Sequence, residues 1–241
     1  MTRPPMTERP TTRQRRIALM VGVTVLFLIV LFPLSVALPL AIPRESGLSA
    51  RQATGTIWSG VLRDAQLAGM PLGDTKVGLL PLPLLTGAAR LQFAGPVLRG
   101  TLVAASKGFG IAHASGAIDI ASRVKPLPIS QLMLDDTAVY FERNRCIQAE
   151  GRVRASVSGD LGGVSLPGGL TGVLKCEAGR LVVPLVSQSG MERVDLRIAG
   201  DGKWQGEIAI RTTDPAVVDK LVAAGFTPGP RGFAIQLTGA L

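Results

Sequence analysis

Arg145–Ser158, RCIQAEGRVRASVS, decides the fold. Ile147, Ala149, Val153, Ala155 and Val157 fall on one parity, with Gln148, Glu150, Arg152, Arg154 and Ser156 on the other. Strict alternation of this kind marks an antiparallel strand with one face buried and one face wet. The pattern recurs in Ala89–Phe93, Val194–Ile198, Lys203–Arg211 and Phe233–Leu237. Turn signals separate the runs: Gly159-Asp160, Gly168-Gly169, Gly179 and Gly200-Asp201-Gly202. The spacing predicts an all-β domain, a curled antiparallel meander sheet with sequential hairpins. Two stretches depart from it. Leu79–Leu85, LLPLPLL, suits a sheet edge or an extended connector, because its two prolines cannot donate to a ladder. Asp214–Gly225 reads as one short C-terminal helix, with Asp214 as cap, Pro215 in the first position and Gly225 as terminator.

Upstream of the β region, Ile17–Leu40 carries no charge. As one helix it would measure about 36 Å, enough to cross a bilayer. A basic tail precedes it (Arg3, Arg9, Arg13, Arg15 and Arg16 against Glu8), whereas Arg44 and Glu45 offset each other beyond it. Basic flanks stay cytoplasmic, so the remainder is expected to be exported. The expected organisation is a cytoplasmic tail over 1–16, a transmembrane signal-anchor helix over 17–40 and a periplasmic β domain over 44–241. Val124–Pro128 is the expected internal boundary. The competing reading of the apolar stretch is a cleaved signal peptide, with Ser35-Val36-Ala37 as the cleavage site.

Composition narrows the function. The chain is formally +9, and the tail holds +4 of it. The basic residues are scattered and aromatics are 4%, which argues against a nucleic-acid binder; the charge reads as solvated surface, with attraction to anionic lipid head groups as the alternative. His113, the one histidine, stands in IAHASGA without an acidic or serine motif beside it, and reads as a strand histidine facing water or a neighbour. Asp135-Asp136 reads as a turn or strand edge. No ligand cluster with metal spacing and no phosphate loop occurs, so no catalytic, cofactor or metal residue is assigned. In an exported domain Cys146 and Cys176 read as a disulfide; two unrelated thiols are the alternative. Cys146 lies on the polar parity of its strand and Cys176 on the apolar parity of its own, so a bridge requires a strand end or a bulge at one of them.

The exported part opens with Thr54, Gly55, Thr56, Ile57, Trp58, Ser59 and Gly60. With the following PLPLLTGAARLQF (Pro81–Phe93), and the cysteine-bearing CIQAEGRV and LTGVLKCEAGRLVVPL, this resembles the type II secretion system protein N family. The resemblance covers most of residues 20–241. It implies an accessory, non-catalytic, single-pass inner-membrane component of a Gram-negative bacterium, with other secretion components as partners and no active site to carry over. Trp58 is the candidate partner or interface contact; a core tryptophan opening the first hairpin is the alternative. From a different class, a curled sheet on one anchor also matches AsmA-like modules that hold acyl chains, with phospholipid as the partner. A groove lined by Leu, Ile and Val and left unfilled means lipid; a filled interior means scaffold.

Overall fold

The computed structural model describes residues 12–41, 48–67, 70–121, 129–157, 160–161, 164–165 and 169–240. Two helices come first, α1 (Thr12–Val30) and α2 (Leu34–Ala41). The β region begins with β1 (Leu48–Ser49), β2 (Gln52–Gly55), β3 (Gly60–Leu67) and β4 (Met70–Leu79). A single helical turn, α3 (Pro81–Leu84), leads to β5 (Ala88–Ala94), β6 (Leu98–Ala105) and β7 (Gly108–Asp119). Then follow β8 (Ile129–Glu142), β9 (Arg145–Val157), the small hairpin β10 (Asp160–Leu161) and β11 (Val164–Ser165), β12 (Leu170–Val173) and β13 (Lys175–Glu177). Last come β14 (Arg180–Ser187), β15 (Glu192–Ile198), β16 (Lys203–Ile210), α4 (Pro215–Ala223), β17 (Thr227–Gly229) and β18 (Gly232–Ala240).

All of these strands except the separate β10–β11 pair form one 16-stranded antiparallel sheet, ordered β1-β3-β4-β5-β6-β7-β8-β9-β12-β14-β15-β16-β18-β17, with β2 on β3 and β13 on β14. Nearly every neighbour in space is the neighbour in sequence, as the alternating runs and glycine turns predict. Val124–Pro128 lies outside the described residues, yet β7 and β8 on either side pair from Gly108↔Glu142 to Asp119↔Gln131. The ladder therefore runs on across the expected boundary.

A line of irregularities crosses the ladder. Asp64 in β3, Gly73 in β4, His113 and Gly116 in β7, Asp136 in β8 and Gly151 in β9 all take positive φ. Register shifts fall beside them in the β3–β4, β6–β7, β7–β8 and β8–β9 pairs. Each extra residue bends its strand and raises the local twist, so a row of them curves the sheet. Asp135-Asp136 therefore sits at a mid-strand bulge, not at a turn or strand edge.

Burial divides along the ladder. In the C-terminal half Val153, Ala155, Leu170, Leu185, Val194, Leu196, Trp204, Ile208 and Ile210 form one core. α4 closes it with Leu221, and Phe226 beyond the helix adds to it. The helix starts as its sequence dictates: Asp214 accepts the Ala216 N–H and Pro215 fills the first position. Near the N-terminus a smaller cluster joins Leu62, Ala65 and Val77 to Leu34 of α2.

The apolar stretch behaves differently from a single rod. Among the described residues no helix is long and apolar enough to cross a membrane. Arg13, Arg15 and Arg16 occupy the first turns of α1, and the helix stops at Val30. The uncharged part, 17–30, is about 21 Å long, short of a hydrocarbon core of about 30 Å. Pro33 pairs with Thr56 as an isolated bridge, and a second helix, α2, starts after it at Leu34. The proline-leucine stretch also differs from expectation: α3 is a helical turn, not an extended connector, and its Leu82 and Leu85 point into solvent.

Candidate functional site

The Thr54–Gly60 segment builds a knuckle at the tip of the β2–β3 hairpin. Gly55 takes φ 89° opposite Gly60, and the Thr56 N–H donates to the Ser59 carbonyl. The Ser59 N–H donates to Thr56 Oγ1. This closed turn reaches back to the helices. The Ile57 N–H donates to the Phe32 carbonyl, and Trp58 Nε1–H donates to the Ile29 carbonyl at 3.0 Å. A Cβ at Gly60 would meet Leu34 Cδ2 at 2.5 Å, so the bare glycine lets α2 seat against the hairpin. Trp58 is thus neither a core residue nor free. It is half-buried and bound to the last turn of α1, at a carbonyl that also accepts from the Phe32 N–H.

Beside the knuckle lies an open cleft of about 650 Å³. Trp58, Ser59, Lys76, Gln92, Arg99 and His113 are among the residues that line it, with no carboxylate among them. His113 Nδ1 lies 2.9 Å from Asp136 Oδ1, and both side chains are largely exposed. Their pairing follows from the bulges, which turn both residues out of the strand pattern. Ser115 Oγ is occupied by the Asp136 N–H, and no nucleophile joins the pair among the described residues. Nor do three or more His, Cys, Asp or Glu side chains converge there as a metal site.

Cys146 and Cys176 are bridged, with Cα atoms 5.5 Å apart. The bulge that this pairing requires is present at Ile147: the register passes from Tyr140↔Gln148 to Phe141↔Cys146 and skips it. Cys146 thereby turns inward, to 4% exposure, while Ile147 turns out, to 58%. Strict alternation predicts the reverse for Ile147, and the extra residue is the reason for the difference. The Cys146 N–H donates to the Gly179 carbonyl, so the bridge joins β9 to the β13–β14 hairpin.

Sequence reasoning missed a buried carboxylate. Asp195, on the outer face of β15, is only 5% exposed. It accepts from Arg193 Nε at 3.0 Å and from Arg231 at 3.3 Å, and Arg231 also reaches Glu207 at 2.8 Å. Alternation sets Asp195 on the side opposite Val194 and Leu196 but predicts it wet; Arg231 reaches it from the β17–β18 turn, which no local pattern connects to β15.

A family model described as "Type II secretion system (T2SS), protein N" matches residues 46–236. The chain belongs to the type II secretion system protein N family. No curated protein and no solved structure matches significantly. The protein N match takes in the knuckle, the cleft and the disulfide, and stops within β18. As a protein N family member the chain is an accessory component of the secretion machinery.

Proposed function

We propose that this protein is a non-catalytic scaffold of the type II secretion system. Its β sheet stands in the periplasm and contacts other secretion components, and the whole uncharged stretch 17–40, α1 continued past Pro33 by α2, holds the chain in the inner membrane with the N-terminus in the cytoplasm. The observation that carries this reading is the filled C-terminal half: Trp204, Leu185, Ile210 and Leu221 occupy the interior that a ligand would need. Membrane insertion is supported by α1 itself. Leu19, Met20, Phe27 and Leu28 are all more than 60% exposed around the helix, and only an apolar medium covers such a surface at low cost. The arginines at its start favour the cytoplasmic side. Trp58 is held against Ile29 near the end of α1, and tryptophan is favoured at membrane–water boundaries.

The test has two arms. Deletion of the gene should lower secretion of type II substrates, and normal secretion in the deletion strain would sink the scaffold reading. A periplasmic reporter fused after Ala240 should be active, and an inactive one would reverse the topology.

One observation favours an AsmA-like lipid module. Leu79, Leu91, Leu102, Ile111, Val139 and Ala149 stand directly opposite one another across β4 to β9. Directly paired residues share a face, so they form an apolar row, and Leu102 in it is exposed. Lipid analysis of protein extracted from native membranes separates the readings. Bound phospholipid that Leu102→Asp removes supports the module, and its absence leaves the scaffold.

A further inference from the structure

We infer that the outer edge of β18 is a docking site for an extended segment of another protein, which adds to the sheet as a further strand. This deepens the scaffold reading, on which it rests for the placing of α1 in a membrane.

The two ends of the ladder are finished differently. At the N-terminal end the edge strands are short, and the neighbouring knuckle is tied to the helices by the Pro33–Thr56 bridge and the Ile57 N–H, with α2 against β2. At the other end β17 covers β18 only from Gly232 to Ala234. Pro228 blunts that short strand. From Ile235 to Ala240, β18 pairs with β16 on one side and with no strand on the other among the described residues. Its outward N–H and C=O groups therefore form an open row.

Soluble proteins blunt such edges with lysines, prolines, bulges or inward charges. β18 has none of these: GFAIQLTGA contains no charge and no proline, and its pairing with β16 runs from Lys203↔Ala240 to Ile210↔Phe233 without a shift. The core is also unfinished here. Ile235 and Leu237 belong to its inner face but remain half-buried, whereas Ile208, one strand inward, is 4% exposed. An added strand would cover them.

Position selects the occupant. The edge lies at the end of the ladder opposite α1, roughly 50 Å of strand spacings from the knuckle. Two copies pairing these edges antiparallel would place their α1 helices at opposite ends of a doubled ladder, which does not suit two chains rooted in one membrane. A strand from a separate protein has no such constraint. The ligand chemistry is an uncharged extended segment with apolar residues at alternate positions, apolar side inward over Ile235 and Leu237, bound by main-chain hydrogen bonds.

The test uses full-length protein in lipid nanodiscs and a peptide of alternating valines and threonines flanked by lysines. Its isomer with all valines first is the control. Amide hydrogen exchange should slow by about tenfold or more at alternate residues between Ile235 and Ala240 with the alternating peptide only. Leu237→Lys, an inward charge at the edge, should abolish that protection. If it also loosens β16, the exposed pair Gln236→Lys and Thr238→Lys blocks the edge by repelling the peptide's lysines. Absence of protection with either peptide overturns the proposal. Protection that rises with protein concentration alone overturns it in favour of a second copy. Normal secretion in a deletion strain, with peptide binding intact, would remove the secretion reading and leave the docking edge.

Discussion

The indole N–H of Trp58 donates to the carbonyl of Ile29, across 29 residues of sequence, and so joins the first hairpin to the end of α1. The Ile29 carbonyl also accepts from the Phe32 N–H at 3.4 Å, so the indole is its second donor. Trp58→Phe keeps the ring and removes the donor, at an expected cost of about 1 kcal/mol. Because the global core lies elsewhere, the loss should appear locally. Exchange at the Ile57 and Leu79 amides, which bond around the same knuckle, should quicken, while the melting of the C-terminal half stays unchanged. Equal loosening of both halves would contradict the local role.

The Cys146–Cys176 bridge closes a loop of sequence separation 30. By chain entropy such a loop contributes about 3–4 kcal/mol. Replacing both cysteines with alanine should lower the denaturant midpoint accordingly, with the slope of the transition used to check that unfolding stays two-state. A shift below about 1 kcal/mol would mean that the β9–β13 junction holds without it.

Much of this fold was legible before any coordinates. The alternation over 149–157, the turns at Gly179 and Gly200-Asp201-Gly202 and the Asp214-Pro215 helix start all appear where local chemistry puts them, because each depends on residues within a few positions. Two kinds of feature were not legible. Bulges shift the parity without a fixed sequence signature, so Ile147 and Cys146 exchange faces and His113 meets Asp136. Contacts between distant turns leave no periodic trace, as with Arg231 on Asp195. Trp58 falls between these cases: its motif marks it for attention, but its Ile29 partner follows only from the break at Pro33.

Two surface pairs give a pH dependence of known sign. A hydrogen bond from Lys175 holds the Glu177 carboxyl below its usual 4.5, and one from Lys203 holds Asp201 below its usual 3.8. A carboxyl that is more acidic folded than unfolded adds stability above its unfolded value and loses it as pH falls through the folded one. Stability from these pairs should therefore be intact at neutral pH and fade below about pH 4.5. Both groups are fully exposed, so added salt should shrink the effect. Comparing acid unfolding of the wild type with Lys175→Met and Lys203→Met at low and high salt tests it. A variant difference that grows with salt would contradict the assignment.

Trp204 and Gly239 face each other across β16 and β18, and each explains the other. A Cβ on Gly239 would lie 2.6 Å from the Trp204 indole carbons, with no room for either to yield in a filled core. Gly239→Ala should therefore cost about 1–3 kcal/mol through overpacking, although alanine is otherwise the easier residue in a strand. The indole has a weakness of its own: Nε1 is buried without a partner among the described residues. An unmet buried donor costs about 1–3 kcal/mol, and phenylalanine removes it while retaining most of the ring. Trp204→Phe should thus be far milder than Trp204→Ala, which would cost about 3–5 kcal/mol by opening a cavity. Combined with Gly239→Ala, the smaller ring makes space for the new methyl group. The double variant should be more stable than the sum of the two single effects requires, by about 1 kcal/mol or more. Chemical denaturation of the four proteins measures this, and strict additivity would show that the indole and Gly239 are not in contact.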